Sequence, residues 1–290
     1  MEVWEIVDRV RRQKGISINE VCGDEVSRSV YERFVKNTAD TTVTKFTYFL
    51  QRINLDYDEL KIFNYPKETN IIQRMMEEMI VAFMSRDTEE LQRIADFCRD
   101  KESMLSKREE HLISLCEMMV ARLNNEQVDV QNSSVYQYLI NAQTWTRYEL
   151  VLFNNSMYAF TPEFVEMILE RALVSLSVYK DSRQGRSESF RMLSNSVIYF
   201  IQHNQRTFAW KYLEKLGEFY LEEDMYFEKN VRLLLNGVWD TIRGNNKGIE
   251  KVHQSLQVCQ FLSSNQHYKM NVDLLRYIEK MFNVDFKLEK

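Results

Sequence analysis

The chain has 290 residues, with 38 Lys and Arg against 43 Asp and Glu and a formal net charge of −5. It has seven glycines and two prolines, whereas average usage would put the pair at roughly 12% of residues. That scarcity excludes most turn-rich β sandwiches, β barrels and glycine-built phosphate loops, and leaves a nearly all-helical chain.

Residues 1 to about 64 read as five short helices. Over Glu2–Lys14, Val3, Ile6, Val7 and Val10 recur at i, i+3, i+4, i+7, and Gly15 closes the helix. Ser17, with Glu20 three residues on, forms a capping box for a helix ending near Cys22. Gly23-Asp24 marks a turn. Ser27–Lys36 is the third helix, Thr42–Ile53 the fourth and Tyr57–Phe63 the fifth. Pro66 disfavours helix in the residue before it, so a domain boundary is expected at 65/66.

From residue 66 to 290 the pattern changes to long amphipathic helices. They are expected near 68–84, 87–100, 106–123, 132–142, 145–158, 162–179, 186–203, 205–222, 225–243, 246–262 and 267–282. Breaks fall at Ser85-Arg86-Asp87, Thr161-Pro162, Gly185 and Gly244-Asn245-Asn246-Lys247-Gly248. Helix starts near 205 and 246, then 225 and 265, suggest a two-helix repeat of about 40 residues, the period of tetratricopeptide-like solenoids. The fold class expected is therefore all-α: a repressor-like helix-turn-helix domain, then a tetratricopeptide-like stack with a concave face.

Catalytic motifs are missing. The four histidines form no HExxH or zinc spacing, and no GxGxxG, GxxxxGK[ST] or GxSxG occurs. Catalytic residues, metal and cofactor are expected to be none. Paired acids such as Glu109-Glu110 read as solvated helix faces. The four widely spaced cysteines read as reduced core thiols. The longest apolar run, Met79–Met84, is far below the about 18 residues of a membrane span, and the MEVWE start has no apolar signal region. A soluble cytoplasmic protein is expected, with no membrane partner.

Ser17–Asn37 has the layout of a helix-turn-helix: a capped helix, a turn and a second helix. Tyr31 and Phe34 would face a core with Val21 and Val26. Arg28, Ser29, Arg33 and Lys36 would then face outward. Arg28 and Ser29 sit in the first turn, where a recognition helix meets base edges. Arginine can bond guanine O6 and N7 together, while Ser17, Arg11, Arg12 and Lys36 could hold phosphates. Between residues 9 and 52 nine basic side chains face five acidic ones, so this segment is locally positive in an acidic chain. A helical interaction scaffold remains the alternative.

Ser27-Arg28-Ser29-Val30-Tyr31-Glu32-Arg33-Phe34, then Lys45-Phe46 and Leu55-Asp56-Tyr57-Asp58-Glu59-Leu60, resemble the N-terminal domain of Rgg/GadR/MutR-type transcriptional regulators. Trp145–Asn155 looks like that family's central helix, and Gly244–Gly248 like its late inter-helix turn. The resemblance spans essentially the whole chain. It implies a member of the wider RRNPP group: double-stranded DNA as partner at a two-fold-related promoter site, a homodimer, and a short signalling peptide on the concave face. Two departures stand out. Val35 replaces an acidic residue in the usual Phe-Glu-Arg/Lys-Gly ending, and Glu32 lies on the side expected to meet DNA.

Extended peptides need backbone hydrogen-bond partners, and Asn both donates and accepts. Candidates for the peptide site are Arg147, Asn154, Asn155 and Asn195, with Tyr148 and Tyr199 as walls. Asn195 has an alternative reading as a buried side chain bonded to a neighbouring helix, and Asn154 and Asn155 as helix-end caps.

Overall fold

The computed structural model describes residues 2–63, 69–100, 105–176 and 183–288. Among them all regular structure is helical. Internal contacts divide the chain into two units, Met1–Leu112 and Ile113–Lys290. The expected boundary at 65/66 lies outside the described residues, as do positions 177–179 of the expected helix 162–179.

The first unit begins with α1 (Val3–Gln13), α2 (Ile18–Cys22), α3 (Arg28–Val35), α4 (Val43–Arg52) and a 3-10 helix over Tyr57–Phe63. The fifth expected helix is thus the tighter 3-10 form. Ser17 caps α2 as its spacing predicts: its Oγ accepts from Glu20 N at 3.2 Å, while Ser17 N donates to the Glu20 carboxylate at 2.6 Å. Two orphan amides are satisfied reciprocally, and such a cap is worth about 1 kcal/mol. Apolar stripes from these elements meet in one core that includes Ile6, Val21, Tyr31, Phe34, Phe49 and Ile53. Tyr31 meets Phe49 edge-on at 5.2 Å and Phe34 stacks on Phe49 at 5.6 Å. Such aromatic pairs add about 0.5–1.5 kcal/mol beyond burial.

Gly23 makes the turn between α2 and α3. Its φ is +52°, and a Cβ there would stand 2.5 Å from Tyr48 Oη. That hydroxyl donates to Cys22 O at 3.1 Å. Positive φ and the close approach both demand glycine. The unit continues with α5 (Thr69–Ser85), α6 (Thr88–Arg99) and the start of α7 (Lys107–Asn124). Glu109 corrects one expectation. It is buried and accepts from Ser106 N and Oγ at 2.7 and 2.8 Å, so it caps α7 and does not form a solvated face.

The second unit carries the rest of α7, then α8 (Ser134–Asn141), α9 (Arg147–Ser156), α10 (Pro162–Leu176), α11 (Arg183–Gln202), α12 (Arg206–Glu218), α13 (Tyr226–Ile242), α14 (Lys247–Phe261) and α15 (Asn265–Phe282). Thr161 accepts from Phe164 N at 3.3 Å with Pro162 at the first helical position, as expected. From α10 to α15 each helix packs on the next, with the tightest pairs α11–α12 and α13–α14. Alternate helices also touch: α11 packs on α9, α13 and α15. α11 is thus the neighbour that α9, α13 and α15 share. Gly185 and Gly248 differ from expectation, because both lie inside helices, α11 and α14, and not at breaks.

Many C-terminal caps use asparagine in place of glycine. Asn37, Asn54, Asn125, Asn204 and Asn283 all adopt φ between 49° and 57°. After α3, Asn37 N bonds Phe34 O at 2.9 Å and Thr38 N bonds Arg33 O at 2.9 Å. That is the Schellman pattern, which asparagine tolerates because its side chain can hydrogen-bond locally.

Candidate functional site

Two places in the fold bear on the residues singled out by the sequence. The first is α3. Tyr31 and Phe34 anchor its inner face with Val21 and Val26, as expected. Arg28, Ser29, Arg33 and Lys36 are exposed on the opposite side. Ser29 Oγ lies 3.2 Å from Ser27 Oγ, and Arg33 Nε reaches Ser29 O at 3.4 Å. Arg28 does not stand alone: its Nε donates to Glu32 Oε1 at 2.7 Å. That bond holds the Glu32 carboxyl below its ordinary value, against the opposing effect of burial.

The flanking residues divide. Ser17 is exposed at the N-terminus of α2, and Arg12 is exposed while bonded to Asp8 at 2.6 Å. Arg11 turns inward. Its guanidinium donates to Asp8 at 2.8 Å, to Ile16 O at 2.8 Å and to Tyr31 Oη at 3.1 Å. It bolts α1 to α3 and leaves the phosphate role expected of it to its neighbours.

The second place is a cavity of about 440 Å³ between α11, α13, α14 and α15. Of the six residues expected at a peptide site, only Asn195 lines it. Asn195 Nδ2 donates to Asn154 Oδ1 at 3.2 Å, tying α11 to α9 at the cavity's edge. Arg147 makes a parallel link, Nε to Glu188 Oε1 at 3.4 Å. Asn155 bonds its own helix at Val151 O, 2.8 Å. Tyr148 is half-buried beside Tyr138, with ring centroids 6.1 Å apart. Tyr199 is buried, donates to Phe160 O at 2.6 Å, stacks on His203 at 4.0 Å, and lines a different cavity of about 540 Å³. Burial lifts its hydroxyl above the ordinary tyrosine range.

Two further asparagines line the 440 Å³ cavity, Asn230 on α13 and Asn271 on α15. Asn154, Asn195, Asn230 and Asn271 thus place one carboxamide on each of α9, α11, α13 and α15. Asn230 Nδ2 donates to Ser255 O at 3.2 Å, but its Oδ1 is buried with no hydrogen-bond partner among the described residues. A buried acceptor left unpaired costs about 1–3 kcal/mol, which an N–H brought by a ligand would recover. The signal was present in the sequence as asparagines recurring near the repeat period of about 40 residues. Among the described residues no helix is long and apolar enough to cross a membrane, and no group of three potential metal ligands forms.

The family model for the C-terminal domain of the HTH-type transcriptional regulator Rgg matches residues 91–271. Among solved structures, the chain is similar to the Streptococcus dysgalactiae SHP pheromone receptor Rgg2, at 16% identity over 96% of this chain and 100% of that one, with a TM-score of 0.79. A transcriptional regulator from Listeria monocytogenes EGD-e matches at 20% identity over 98% and 99%, TM-score 0.83. RopB matches at 29% identity over 77% and 98%, TM-score 0.59. These likenesses establish the helical-repeat fold.

Proposed function

The chain belongs to the family of HTH-type transcriptional regulators of the Rgg type, and from that membership we propose that it is a cytoplasmic, sequence-specific DNA-binding regulator controlled by a short peptide. The observation that supports DNA binding is the exposed face of α3. Arg28 and Ser29 stand in its first turn and Arg33 and Lys36 further along, on a helix held by Tyr31 and Phe34. Arg28 and Ser29 read base edges, while Ser17, Arg12, Arg33 and Lys36 hold phosphates. In a homodimer, two such helices meet successive major grooves about 34–36 Å apart on a two-fold-related promoter site.

Peptide control rests on the cavity of the second unit and the asparagine row beside it, which offers donors and acceptors to an extended backbone. A similar solved protein, Rgg2, is a pheromone receptor by name. A peptide acts here only through unequal affinity for the states that bind DNA differently.

The test is selection of genomic DNA fragments by the full-length protein, with and without peptides from culture supernatant. Enriched fragments that Arg28→Ala fails to retain are expected. No enrichment in either condition removes the DNA-binding reading. It would then favour a helical-repeat scaffold, the reading to which the Arg28–Glu32 bond, by pairing one of the basic residues of α3, lends its weight.

A further inference from the structure

Most basic side chains of α12, α13 and α14 are engaged. Lys211 and Lys251 pair with Glu166 and Asp240, each at 2.6 Å, and Lys215 pairs with Glu170 at 3.1 Å. Lys229 and Arg232 donate to backbone carbonyls. Arg206 at the start of α12, Arg243 at the end of α13 and Lys247 at the start of α14 differ. All three are exposed, and their charged ends make no hydrogen bond or ion pair among the described residues. Two of them flank one ring. The guanidinium of Arg243 lies 5.4 Å from the centroid of Trp210, and Arg206 stands one turn before Trp210 on α12. The turn after α13, closed by Gly244 N on Thr241 O and Asn245 N on Asp240 O at 2.9 Å each, carries the chain on to Lys247. Trp210 is itself exposed and stacks on the buried Trp239, with ring centroids 5.8 Å apart. Two exposed acids, Glu214 and Glu250, lie one turn beyond Trp210 and Lys247 along their helices and bound the patch.

We propose that Trp210, Arg206, Arg243 and Lys247 form a docking surface for a short acidic segment of a partner protein, with an apolar side chain of that segment seated on the Trp210 ring. Charge complementarity carries the choice of partner. The chain as a whole has a net charge of −5, so three unpaired cations beside an exposed tryptophan are a local exception that carboxylates complement. Stacking uses the face of the Arg243 guanidinium and leaves the N–H groups at its edge open to a carboxylate. Tryptophan and arginine are enriched where binding energy concentrates, and a ring already held by Trp239 loses little freedom when a partner covers it. A nucleic acid fits less well, since firm binding there neutralises about six to ten phosphates. Glu214 and Glu250 keep the patch small and so favour a short segment over a long polyanion. None of the four docking residues lines the 440 Å³ cavity, and the inference does not rest on peptide control or on DNA binding.

Isothermal titration of the full chain with three probes tests this. One is the acetylated and amidated hexapeptide Asp-Asp-Leu-Phe-Asp-Asp, one is the same peptide with asparagine for every aspartate, and one is single-stranded octathymidylate. The acidic peptide is expected to bind about tenfold tighter than the neutral one at low salt, and the preference shrinks as salt rises. Arg243→Gln and, separately, Lys247→Gln each cut that preference to about threefold or less, while Trp210→Ala weakens both peptides alike. Equal affinities, a preference that survives both charge variants, tighter binding of the oligonucleotide than of the acidic peptide, or no binding by any probe overturns the proposal. Sedimentation of the free chain covers one further occupant. A dimer that Arg243→Gln dissociates would show that a second copy takes this surface, and would overturn the proposal as well. Selection of genomic DNA reads a different site, so failure here leaves the proposed function standing.

Discussion

Gly237 on α13 and Gly248 on α14 face each other so closely that neither position has room for a Cβ. One at Gly237 would stand 2.8 Å from Gly248 O and 2.9 Å from Val252 N. One at Gly248 would stand 2.5 Å from both N and Oγ1 of Thr241 and closer still to Gly237 O. The obstacles are mostly backbone, which cannot move aside cheaply. Thr241 Oγ1 donates to Gly237 O at 2.9 Å, so its hydroxyl is fixed as well.

An alanine at either position should therefore destabilise the second unit by about 1–3 kcal/mol, although alanine normally favours a helix by about 1 kcal/mol over glycine. Gly217 in α12 is the control, since nothing lies within 4 Å of a Cβ there. Gly217→Ala should stabilise by about 0.5–1 kcal/mol. Urea unfolding of the three variants measures both signs; a stabilised Gly248→Ala would show that the two helices can separate at little cost.

Arg11 and Arg12 are adjacent and should behave differently. Arg11→Ala removes bonds to Asp8, Ile16 and Tyr31 and should lower the stability of the first unit by about 2–3 kcal/mol. Arg12→Ala should leave stability within about 0.5 kcal/mol and reduce the salt slope of DNA binding by about 1. Circular dichroism melts together with anisotropy at several salt concentrations separate the two. An Arg11→Ala protein with unchanged melting and a reduced salt slope would place Arg11 on the phosphates instead.

In the free protein Arg28 is occupied by Glu32 at 2.7 Å. Reaching a base requires that bond to open, and an acid near phosphates repels them. Glu32→Gln should raise affinity for a selected operator, whereas Arg28→Ala should lose about 1–3 kcal/mol of discrimination against a mismatched site. Anisotropy at one fixed salt concentration reads both effects. Tighter binding by Arg28→Ala would mean that the guanidinium has no base partner.

Glu149 gives a pH dependence. Burial pushes its carboxyl up, but hydrogen bonds from Thr146 Oγ1 at 2.6 Å, Tyr138 Oη at 2.5 Å and Thr146 N at 2.7 Å outweigh that and hold it below its ordinary 4.5. A carboxyl with a depressed folded value contributes stability that is full above the unfolded value and fades as pH falls through the folded one. Glu149→Gln should therefore melt at a lower temperature than wild type at pH 7. The gap should narrow as pH drops below about 4.5. A gap independent of pH would mean that the charge on Glu149 does not matter.

Local chemistry was readable in advance where a helix end carries its own signal. Ser17 and Glu20 three residues apart, and Thr161 before Pro162, each announce a start that the structure bears out, and the break at Ser85-Arg86-Asp87 holds a further cap. Asp87 accepts from Glu90 N at 2.9 Å. Stops were less legible. Glycine alone predicts the stops poorly: Gly185 and Gly248 sit inside helices, while five asparagines close α3, α4, α7, α11 and α15. The reason is that asparagine reaches positive φ only with help from its surroundings, so the letter alone does not mark the turn.

The candidate sites divide in the same way. The buried and exposed faces of α3 follow from the periodicity of Tyr31 and Phe34, because a helix of known register has only one inner side. Arg11 lies on a helix with an equally clear stripe, yet its direction depends on Tyr31 and Ile16, which come to it from other elements. Asn195 stands out as a polar residue on an apolar helix, and Asn154 lies about one repeat before it, but that the two carboxamides meet is decided by the packing of α9 on α11.

The sequence by itself determined an all-helical chain, a capped helix-turn-helix start and a repeat of about 40 residues, because propensity, caps and periodicity act within a few residues. Only the tertiary structure decided which side chains face the 440 Å³ cavity, and that Gly237 and Gly248 must both lack a Cβ. Those outcomes depend on the register between helices. That register is set by the packing of many side chains at once and is written at no single position.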